Sequence, residues 1–258
     1  MLRLYKYCLG PILLIQSRRL RKTALRLPEA EGPRDGSIMT TNEARPIRLL
    51  FVGDSSAAGV GVERQDQALA FQTAERLAAR LGISVEWQLL AKSGINTQQT
   101  LKLVARTQLQ PVDVLITALG TNDVTSQRTA TQFLSDYKIL VNKIRQQCGN
   151  FLVVVTGLPP LRILPAAPQP LRWYLGKCAA SLDTKLKHWV QSQAGFRYVS
   201  LDWAAVPKDM AKDRFHPGLG QYQHWAHLVA ESIEDMLAQT RLTFTGLSDP
   251  AKNGFYSS

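Results

Sequence analysis

From residue 47 onward, short apolar segments alternate with segments whose apolar residues recur every three or four positions. The apolar segments predict strands at residues 47–53, 84–91, 112–120, 150–160 and 196–203. The periodic segments predict helices at residues 68–82, 97–109, 129–149, 176–195 and 220–239. Strands that alternate with helices and are apolar on both faces form mostly parallel sheets with helices on each side. The pattern therefore predicts an α/β fold around a mostly parallel five-stranded sheet.

The first 46 residues do not follow this alternation. Residues 28–46 are rich in Pro, Gly and polar side chains, which is typical of a linker. The chain has a formal net charge of +11, and residues 1–26 contain seven basic residues and no acidic ones. Because most of the excess charge belongs to this N-terminal arm, a polyanion-binding surface over the whole protein is not required. We predict an arm and linker over residues 1–46, a globular domain over 47–240 and a C-terminal tail over 241–258.

The arm contains an apolar stretch, YCLGPILLI, at residues 7–15. It is too short to span a bilayer, which takes about 20 apolar residues. The basic sequence QSRRLRK follows it, where a cleaved signal peptide would have small residues. Two interpretations stay open: residues 1–26 contact an anionic membrane surface, or the arm packs on the domain's own surface. Nucleic-acid binding through the arm is not expected, because no motif that reads nucleic acid accompanies the charge.

The three cysteines, Cys8, Cys148 and Cys178, are widely separated and show neither disulfide nor metal-site spacing. This usage is typical of free thiols in a reducing compartment. We therefore expect a cytoplasmic protein, either free in the cytoplasm or peripheral to the membrane.

Polar residues follow three of the predicted strands directly. Ser55 lies in GDSS after the first strand, Gly94 follows the second, and Asn122 lies in GTND after the third. The sequence DRFH, with Asp213 and His216, precedes the last helix. Ligands of parallel sheets bind outside the carboxyl ends of the strands. We therefore expect these residues to meet in one cleft.

These residue types are the parts that an acyl-transfer site needs. A serine hydroxyl becomes a good nucleophile when a base removes its proton, and His216 could take that proton and later return it to the leaving group. A carboxylate such as Asp213 would fix the imidazole tautomer. The backbone N–H groups of Ser55 and Gly94 and the Asn122 amide could bind the oxyanion of the tetrahedral intermediate. This chemistry calls for no cofactor.

The set of GDSS, Gly94, GTND and DRFH resembles, in order and spacing, the conserved blocks of the SGNH hydrolase (GDSL esterase/lipase) superfamily. The resemblance covers residues 47–240, although Ser56 stands where the family's name has Leu. It implies a flavodoxin-like three-layer α/β/α sandwich that hydrolyses carboxylic esters, lipid or other acyl esters, without a metal. The site residues that it implies are the triad Ser55, Asp213 and His216, and the oxyanion-hole donors Ser55, Gly94 and Asn122.

Several plainer interpretations remain beside this one. Asp54 is more simply a structural residue that holds its loop, and Asp123 a turn or helix-capping residue. Asp209 could serve as the third triad member in place of Asp213. His224 and His227 are spaced to hold a metal together, yet no third ligand is apparent in the sequence.

The chain as a whole also has a second interpretation. It could be a catalytically inactive binding module that keeps the SGNH fold and associates with a membrane through its basic arm.

A proline-rich segment, LPPLRILPAAPQPLRWYLG at residues 158–176, follows the fourth predicted strand. It carries five prolines and is unusually apolar for a connecting segment. One hypothesis is that it forms an acyl-binding wall or lid in which Leu161, Trp173 and Tyr174 contact the substrate. The other is that it packs its apolar residues on the core.

Overall fold

A six-stranded sheet forms the centre of the protein in the computed structural model, which describes residues 2–204 and 206–245. Its strands in chain order are β1 (Asp35–Ile38), β2 (Ile47–Gly53), β3 (Val85–Ala91), β4 (Val114–Ala118), β5 (Leu152–Thr156) and β6 (Phe196–Val199). Strands β2 to β6 are parallel and lie side by side in the order β3-β2-β4-β5-β6. This is the flavodoxin-like order, so the predicted fold class is confirmed.

The sheet has six strands rather than the five predicted. The additional strand, β1, lies within residues 28–46, the segment interpreted as a linker, and pairs antiparallel with β3 at the edge of the sheet. Its sequence, DGSI, is short and largely exposed, so it has no apolar run to reveal it. The pairing with β3, rather than the strand's own propensity, accounts for its extended conformation.

Helices cover both faces of the sheet. In chain order they are α1 (Leu2–Thr23), α2 (Leu69–Leu81), α3 (Thr97–Val104), α4 (Thr121–Thr125), α5 (Ala130–Cys148), α6 (Leu171–Gln191) and α7 (Leu219–Thr245). Alternate residues of a strand face opposite sides, so Leu50 and Val52 of β2 pack with α5 and α6. Leu49 and Phe51 pack with α2 and α7 on the other face. The result is the three-layer sandwich that the resemblance implies.

Three helix boundaries differ from the predicted ones by five residues or more. Helix α3 ends at Val104, five residues before the predicted end at 109. Helix α6 begins at Leu171, five residues before the predicted start at 176, because proline is tolerated just before the first turn and Pro170 occupies that position. Helix α7 extends to Thr245, so the first residues of the predicted tail over 241–258 are helical. The remainder of that tail lies outside the described residues.

The N-terminal arm forms helix α1, and one of its faces packs on α6. Leu13 is buried there, and the Gln16 amide donates to the Gln169 carbonyl at 2.6 Å and accepts from the Leu171 N–H at 3.1 Å. Tyr5 packs edge-on against Trp173 with 4.8 Å between ring centroids. Across residues 2–204 and 206–245, each helix lacks the length or the apolarity needed to cross a bilayer.

Candidate active site

The loops that carry Ser55, Gly94 and Asn122 leave three adjacent strands at the same level of the sheet. Gly53 of β2 is in register with Ala91 of β3 and Ala118 of β4. Beyond these residues, the Asp54 N–H donates to the Ala118 carbonyl at 3.1 Å, which keeps two of the segments together. The site thus lies at the carboxyl ends of the strands, beside β2. The next strand in the chain, β3, lies on one side of β2, and β4 to β6 lie on the other. Ligands of such sheets bind at this change of direction.

Ser55, His216 and Asp213 form a continuous chain of contacts. His216 Nε2 lies 2.9 Å from Ser55 Oγ, and His216 Nδ1 lies 2.5 Å from Asp213 Oδ2. Asp213 Oδ1 accepts the backbone N–H groups of Phe215 and His216 at 3.0 Å each, which fixes the plane of the carboxylate. With the Nδ1 proton donated to Asp213, the Nε2 lone pair faces the serine hydroxyl, as a general base requires.

The environment keeps Asp213 ionised. Burial of the carboxyl raises its pKa, but the hydrogen bonds from His216 and the positive charge of that imidazole outweigh burial and hold the pKa of Asp213 below its usual range. Asp209, the alternative carboxylate, is exposed, and no hydrogen bond or ion pair joins its side chain to His216. The structure therefore brings Asp213, and not Asp209, to the imidazole.

The loop that follows Ser55 is fixed on two sides. Gly61 has a φ of +113°, and a Cβ at that position would lie 2.1 Å from the Pro217 carbonyl oxygen, so only glycine allows the loop to approach the segment after His216. Tyr222 of α7 donates its hydroxyl toward the carbonyls of Ser56 and Val60, at 2.9 and 2.8 Å. These contacts hold the Ser55 loop against the segment that carries His216.

Three hydrogen-bond donors near Ser55 remain available to a substrate. Among the described residues, neither the Ser55 N–H nor the Gly94 N–H has an acceptor. The Asn122 amide donates one hydrogen to Asp54 Oδ2 at 3.3 Å and keeps the other. Free donors at the ends of three neighbouring strands are what an oxyanion hole requires.

The carboxylates beside these donors have structural contacts. Asp54 is buried and accepts the Ser56 N–H at 3.1 Å as well as the Asn122 amide, so it orients Asn122. Asp123 accepts the N–H and the hydroxyl of Thr97, at 3.0 and 2.9 Å, and so caps α3 at the end of the Gly94 loop.

The pKa of Asp54 shows how burial affects a carboxyl group within the site. Burial raises the pKa of Asp54 from 3.8 to about 6, and the hydrogen bond from Ser56 and the charge of His216 lower it only in part. Because the folded state binds this proton more tightly than the unfolded state, the free energy of unfolding falls as the pH rises through the range up to about 6. Above that range the ionised carboxylate costs the folded state about 3 kcal/mol.

Replacing Asp54 with Asn should remove that cost. We expect Asp54→Asn to raise the free energy of unfolding at pH 8 by about 2 kcal/mol, because one accepted hydrogen bond, worth about 1 kcal/mol, is lost with the second oxygen. The gain should vanish near pH 4, where the carboxyl is protonated in the folded state and about half protonated in the unfolded state, so that the remaining cost no longer exceeds the lost hydrogen bond. Urea unfolding at both pH values measures the change, with the exposed Asp209→Asn as control. A gain that is the same at both pH values would contradict this explanation.

A narrow apolar cleft lies beside the segments that carry Ser55 and His216. Residues next to the triad members in sequence line it, namely Asp54, Ser56, Phe215 and Pro217. The first part of the proline-rich segment, from Pro159 to Leu164, supplies one wall and includes Leu161.

Trp173 and Tyr174, also predicted to contact the substrate, do not line this cleft. Both lie in the first turn of α6, which directs Trp173 against Tyr5 of α1 and buries Tyr174, whose hydroxyl donates to Gln127 Oε1 at 2.7 Å. The prediction for these two residues is therefore corrected. The first half of the proline-rich segment walls the cleft, and its second half packs on the core and α1. That this wall binds an acyl chain stays a prediction.

Other residues of the site have weaker signals in the sequence. Trp203 and Met210 line the cleft from irregular segments, where no periodicity marks them. Tyr222 is one apolar residue among several on α7, and its anchoring role depends on a loop more than 160 positions away.

The two histidines that could hold a metal lie on α7. The His224 ring packs edge-on against Trp203 with 4.6 Å between centroids. Within the described ranges, no group of three or more His, Cys, Asp or Glu side chains is arranged to bind a metal ion.

Solved structures with the same fold include several esterases. The chain is 19% identical to a lipase from a goat rumen metagenome, with a TM-score of 0.56 over 71% of this chain and 95% of that one. It is 17% identical to a family 3 carbohydrate esterase from Clostridium thermocellum, with a TM-score of 0.59 over 76% and 99%. A psychrotrophic esterase, EstA from Pseudoalteromonas sp., gives 16% identity and a TM-score of 0.55 over 74% and 98%. These likenesses establish the fold.

Sequence comparison establishes the family. No curated protein sequence matches the chain significantly. The model of one family does match, over residues 51–228, which is more than two thirds of the 258 residues and includes Ser55, Gly94, Asn122, Asp213 and His216. This match confirms the resemblance to SGNH hydrolases and supports carboxylic ester hydrolysis as the general activity. The chain belongs to the GDSL-like Lipase/Acylhydrolase family.

Proposed function

We propose that the protein is a serine carboxylic ester hydrolase that forms an acyl-enzyme on Ser55. The observation that carries this proposal is the 2.9 Å separation of Ser55 Oγ and His216 Nε2, with Asp213 on the other imidazole nitrogen. Membership of the GDSL-like Lipase/Acylhydrolase family supports it. A binding module without catalysis would not need this arrangement.

The proposed reaction has two steps. Ser55 Oγ attacks the ester carbonyl as His216 takes its proton, and the negative charge develops on the carbonyl oxygen against the free donors of Ser55, Gly94 and Asn122. His216 then gives the proton to the leaving alcohol, and the acyl group remains on Ser55. Water attacks this acyl-enzyme with His216 as base, which releases the acid and restores the serine.

The apolar lining of the cleft favours an acyl chain over an acetyl group. Leu161, Ile163, Phe215 and the neighbouring prolines offer hydrocarbon surface to a substrate. Each methylene group buried there would contribute about 0.8 kcal/mol to binding. The related structures include a lipase and carbohydrate esterases, so they do not single out one class of substrate.

A panel of p-nitrophenyl esters with acyl chains of increasing length tests the proposal. Wild type should hydrolyse the panel and prefer chains longer than acetyl, and Ser55→Ala should not. The inactive binding module predicts no turnover above background by either protein. Turnover that survives in Ser55→Ala would contradict the role of Ser55.

Filling the cleft should change the chain-length preference. Ile163 is half-buried in the cleft wall, so Ile163→Trp should lower kcat/KM for long-chain esters by about tenfold relative to acetyl esters, equal to the loss of about two buried methylene groups. Arg162→Trp adds a large side chain at the neighbouring exposed position and is the matched control. If both variants keep the wild-type preference, the acyl chain does not occupy this cleft.

The outer face of α1 supports a second proposal, that the arm contacts anionic membrane surfaces. The face opposite α6 exposes Tyr7, Leu14 and Ile15, and the basic residues Arg18 and Lys22 follow on the same face. An exposed apolar patch next to positive charge fits a layer of anionic phospholipid headgroups. An RNA or DNA partner would account for the charge but not for the apolar patch.

Vesicle binding tests the contact with the membrane. We expect wild type to sediment with vesicles that contain phosphatidylglycerol and not with pure phosphatidylcholine. Ile15→Asp should weaken this binding at least about tenfold, because it removes an exposed apolar side chain that would enter the lipid interface and adds a negative charge that anionic lipid repels. Ile139→Asp changes an equally apolar, half-exposed residue on α5 and should have no effect. Equal effects of the two substitutions, or binding of RNA in place of vesicles, would contradict the proposal.

A further inference from the structure

Residues 29–34, between α1 and β1, connect the two loops that carry Ser55 and Gly94. On the Ser55 side, the Ala30 N–H donates to the Ala58 carbonyl at 3.2 Å, and the Glu31 N–H donates to the Glu63 carbonyl at 2.8 Å. The buried Gln65 amide donates to both the Ala30 and the Ala58 carbonyls at 3.1 Å. The segment is thus fastened to the loop that follows the nucleophile.

On the other side, two side chains of the same segment hold the Gly94 loop. Glu29 Oε1 accepts the Ser93 N–H at 2.6 Å, and Arg34 Nη1 donates to the Ala91 carbonyl at 2.7 Å. Arg34 Nη2 also donates to Glu29 Oε2, so the two side chains form one unit. This unit contacts both ends of the short segment from Ala91 to Ser93, which leads directly to Gly94.

On its C-terminal side, Gly94 is followed by the start of α3, where Asp123 holds Thr97. Glu29 holds the residue before Gly94. Gly94 is exposed, its φ is +79°, and a Cβ at this position would contact nothing within 4 Å. No packing on Gly94 itself fixes the direction of its N–H group, which belongs to the peptide unit that joins Ser93 to Gly94. Ser93 is exposed, and its N–H is held by Glu29 alone among the described residues.

We propose that Glu29, oriented by Arg34, is a positioning residue that directs the Gly94 N–H toward the oxyanion. The inference rests on the proposed ester hydrolysis at Ser55. Glu29 and Arg34 lie outside residues 51–228, the part of the chain that matches the family model. The N-terminal segment would thereby complete a site whose catalytic residues all lie within the family domain.

Because Glu29 and Arg34 are partly exposed, the proposed positioning role can be distinguished from a contribution to the stability of the fold. The side chains of Arg34 and Glu29 are 38% and 29% exposed, and ion pairs this open to solvent contribute little to folding. Burial raises the pKa of the Glu29 carboxyl, but its hydrogen bonds with Ser93 and the charge of Arg34 outweigh burial and hold that pKa below its usual range. Glu29 is therefore a charged acceptor at neutral pH, and removing it should affect catalysis more than stability.

The test compares Glu29→Ala and Glu29→Gln with Glu31→Ala, a control in the same segment whose exposed side chain makes no hydrogen bond or ion pair within the described residues. Removing an oxyanion donor lowers kcat about 10²–10³-fold, so a donor that is present but misdirected should lower it about tenfold. We expect that loss in Glu29→Ala with little change in KM. Glu29→Gln keeps an acceptor oxygen and should recover part of the rate.

A thionoester substrate distinguishes positioning from a general structural effect. Its developing charge lies on sulfur, a weak hydrogen-bond acceptor, so its hydrolysis depends less on the oxyanion hole. Glu29→Ala should therefore lower the ratio of oxoester to thionoester kcat about tenfold, and Glu31→Ala should leave this ratio unchanged. A Glu29→Ala enzyme with the wild-type ratio would overturn the inference. If wild-type protein hydrolyses neither ester, the proposed ester hydrolysis is wrong. That outcome differs from an active Glu29→Ala enzyme with the wild-type ratio, which overturns only the role of Glu29.

Discussion

Ser55→Ala should lower kcat for p-nitrophenyl esters by about six orders of magnitude, the loss that follows when a serine nucleophile is removed from a triad. The reason is geometric: the hydroxyl that lies 2.9 Å from His216 Nε2 is the atom that forms the acyl-enzyme in the proposed reaction. Steady-state kinetics at substrate saturation measures the change.

The adjacent serine provides the matched control for this experiment. Ser56 lines the cleft, but its side chain makes no hydrogen bond to the triad among the described residues. Ser56→Ala should therefore keep kcat within a few-fold of wild type. If Ser56→Ala loses activity and Ser55→Ala keeps it, the assignment of the nucleophile is wrong.

Asp213→Asn should lower kcat/KM about 10⁴-fold with little loss of stability. An amide in place of the carboxylate can donate a hydrogen to His216 Nδ1, which favours the tautomer whose Nε2 carries the proton and cannot accept one from Ser55. The imidazolium formed during attack also loses the carboxylate 2.5 Å from Nδ1.

Asp209→Asn is the control for Asp213→Asn, because Asp209 is the other carboxylate that precedes His216 at a plausible distance in the sequence. It is exposed and makes no hydrogen bond or ion pair with His216, so its substitution should leave kcat/KM unchanged. Progress curves measured at neutral pH compare the two variants. A comparable loss in Asp209→Asn would show that the third triad member has been misassigned.

The parts of the fold that the sequence predicts are those determined by local pattern. The parallel strands follow from apolar runs, and α2 ends where Gly82 adopts a φ of +62°, as its sequence position indicates. The strand β1 could not be predicted, because DGSI is extended through its pairing with β3 rather than through any apolar pattern of its own.

The residues of the site also differ in how far the sequence predicts them. Ser55, Gly94 and Asn122 follow predictable strands, so the order of the sheet brings their loops together. Asp213 and His216 precede a predictable helix, and contacts of Gly61 and Tyr222 hold their segment beside Ser55. Trp173 could not be placed from sequence, because its direction depends on where α6 begins and on the packing of α1 against it. Glu29 and Arg34 give no signal at all, since their partners are backbone atoms about 60 residues away.

The central claim, that Ser55 is the acylated nucleophile activated by His216, can be tested most directly by covalent labelling. Wild-type protein, Ser55→Ala and His216→Ala are treated with a fluorophosphonate ester, digested and analysed by peptide mass spectrometry. We expect one phosphonyl group on Ser55 in wild type, none in Ser55→Ala and much slower labelling in His216→Ala. Labelling of wild type at another residue, or equal labelling rates with and without His216, would contradict this claim.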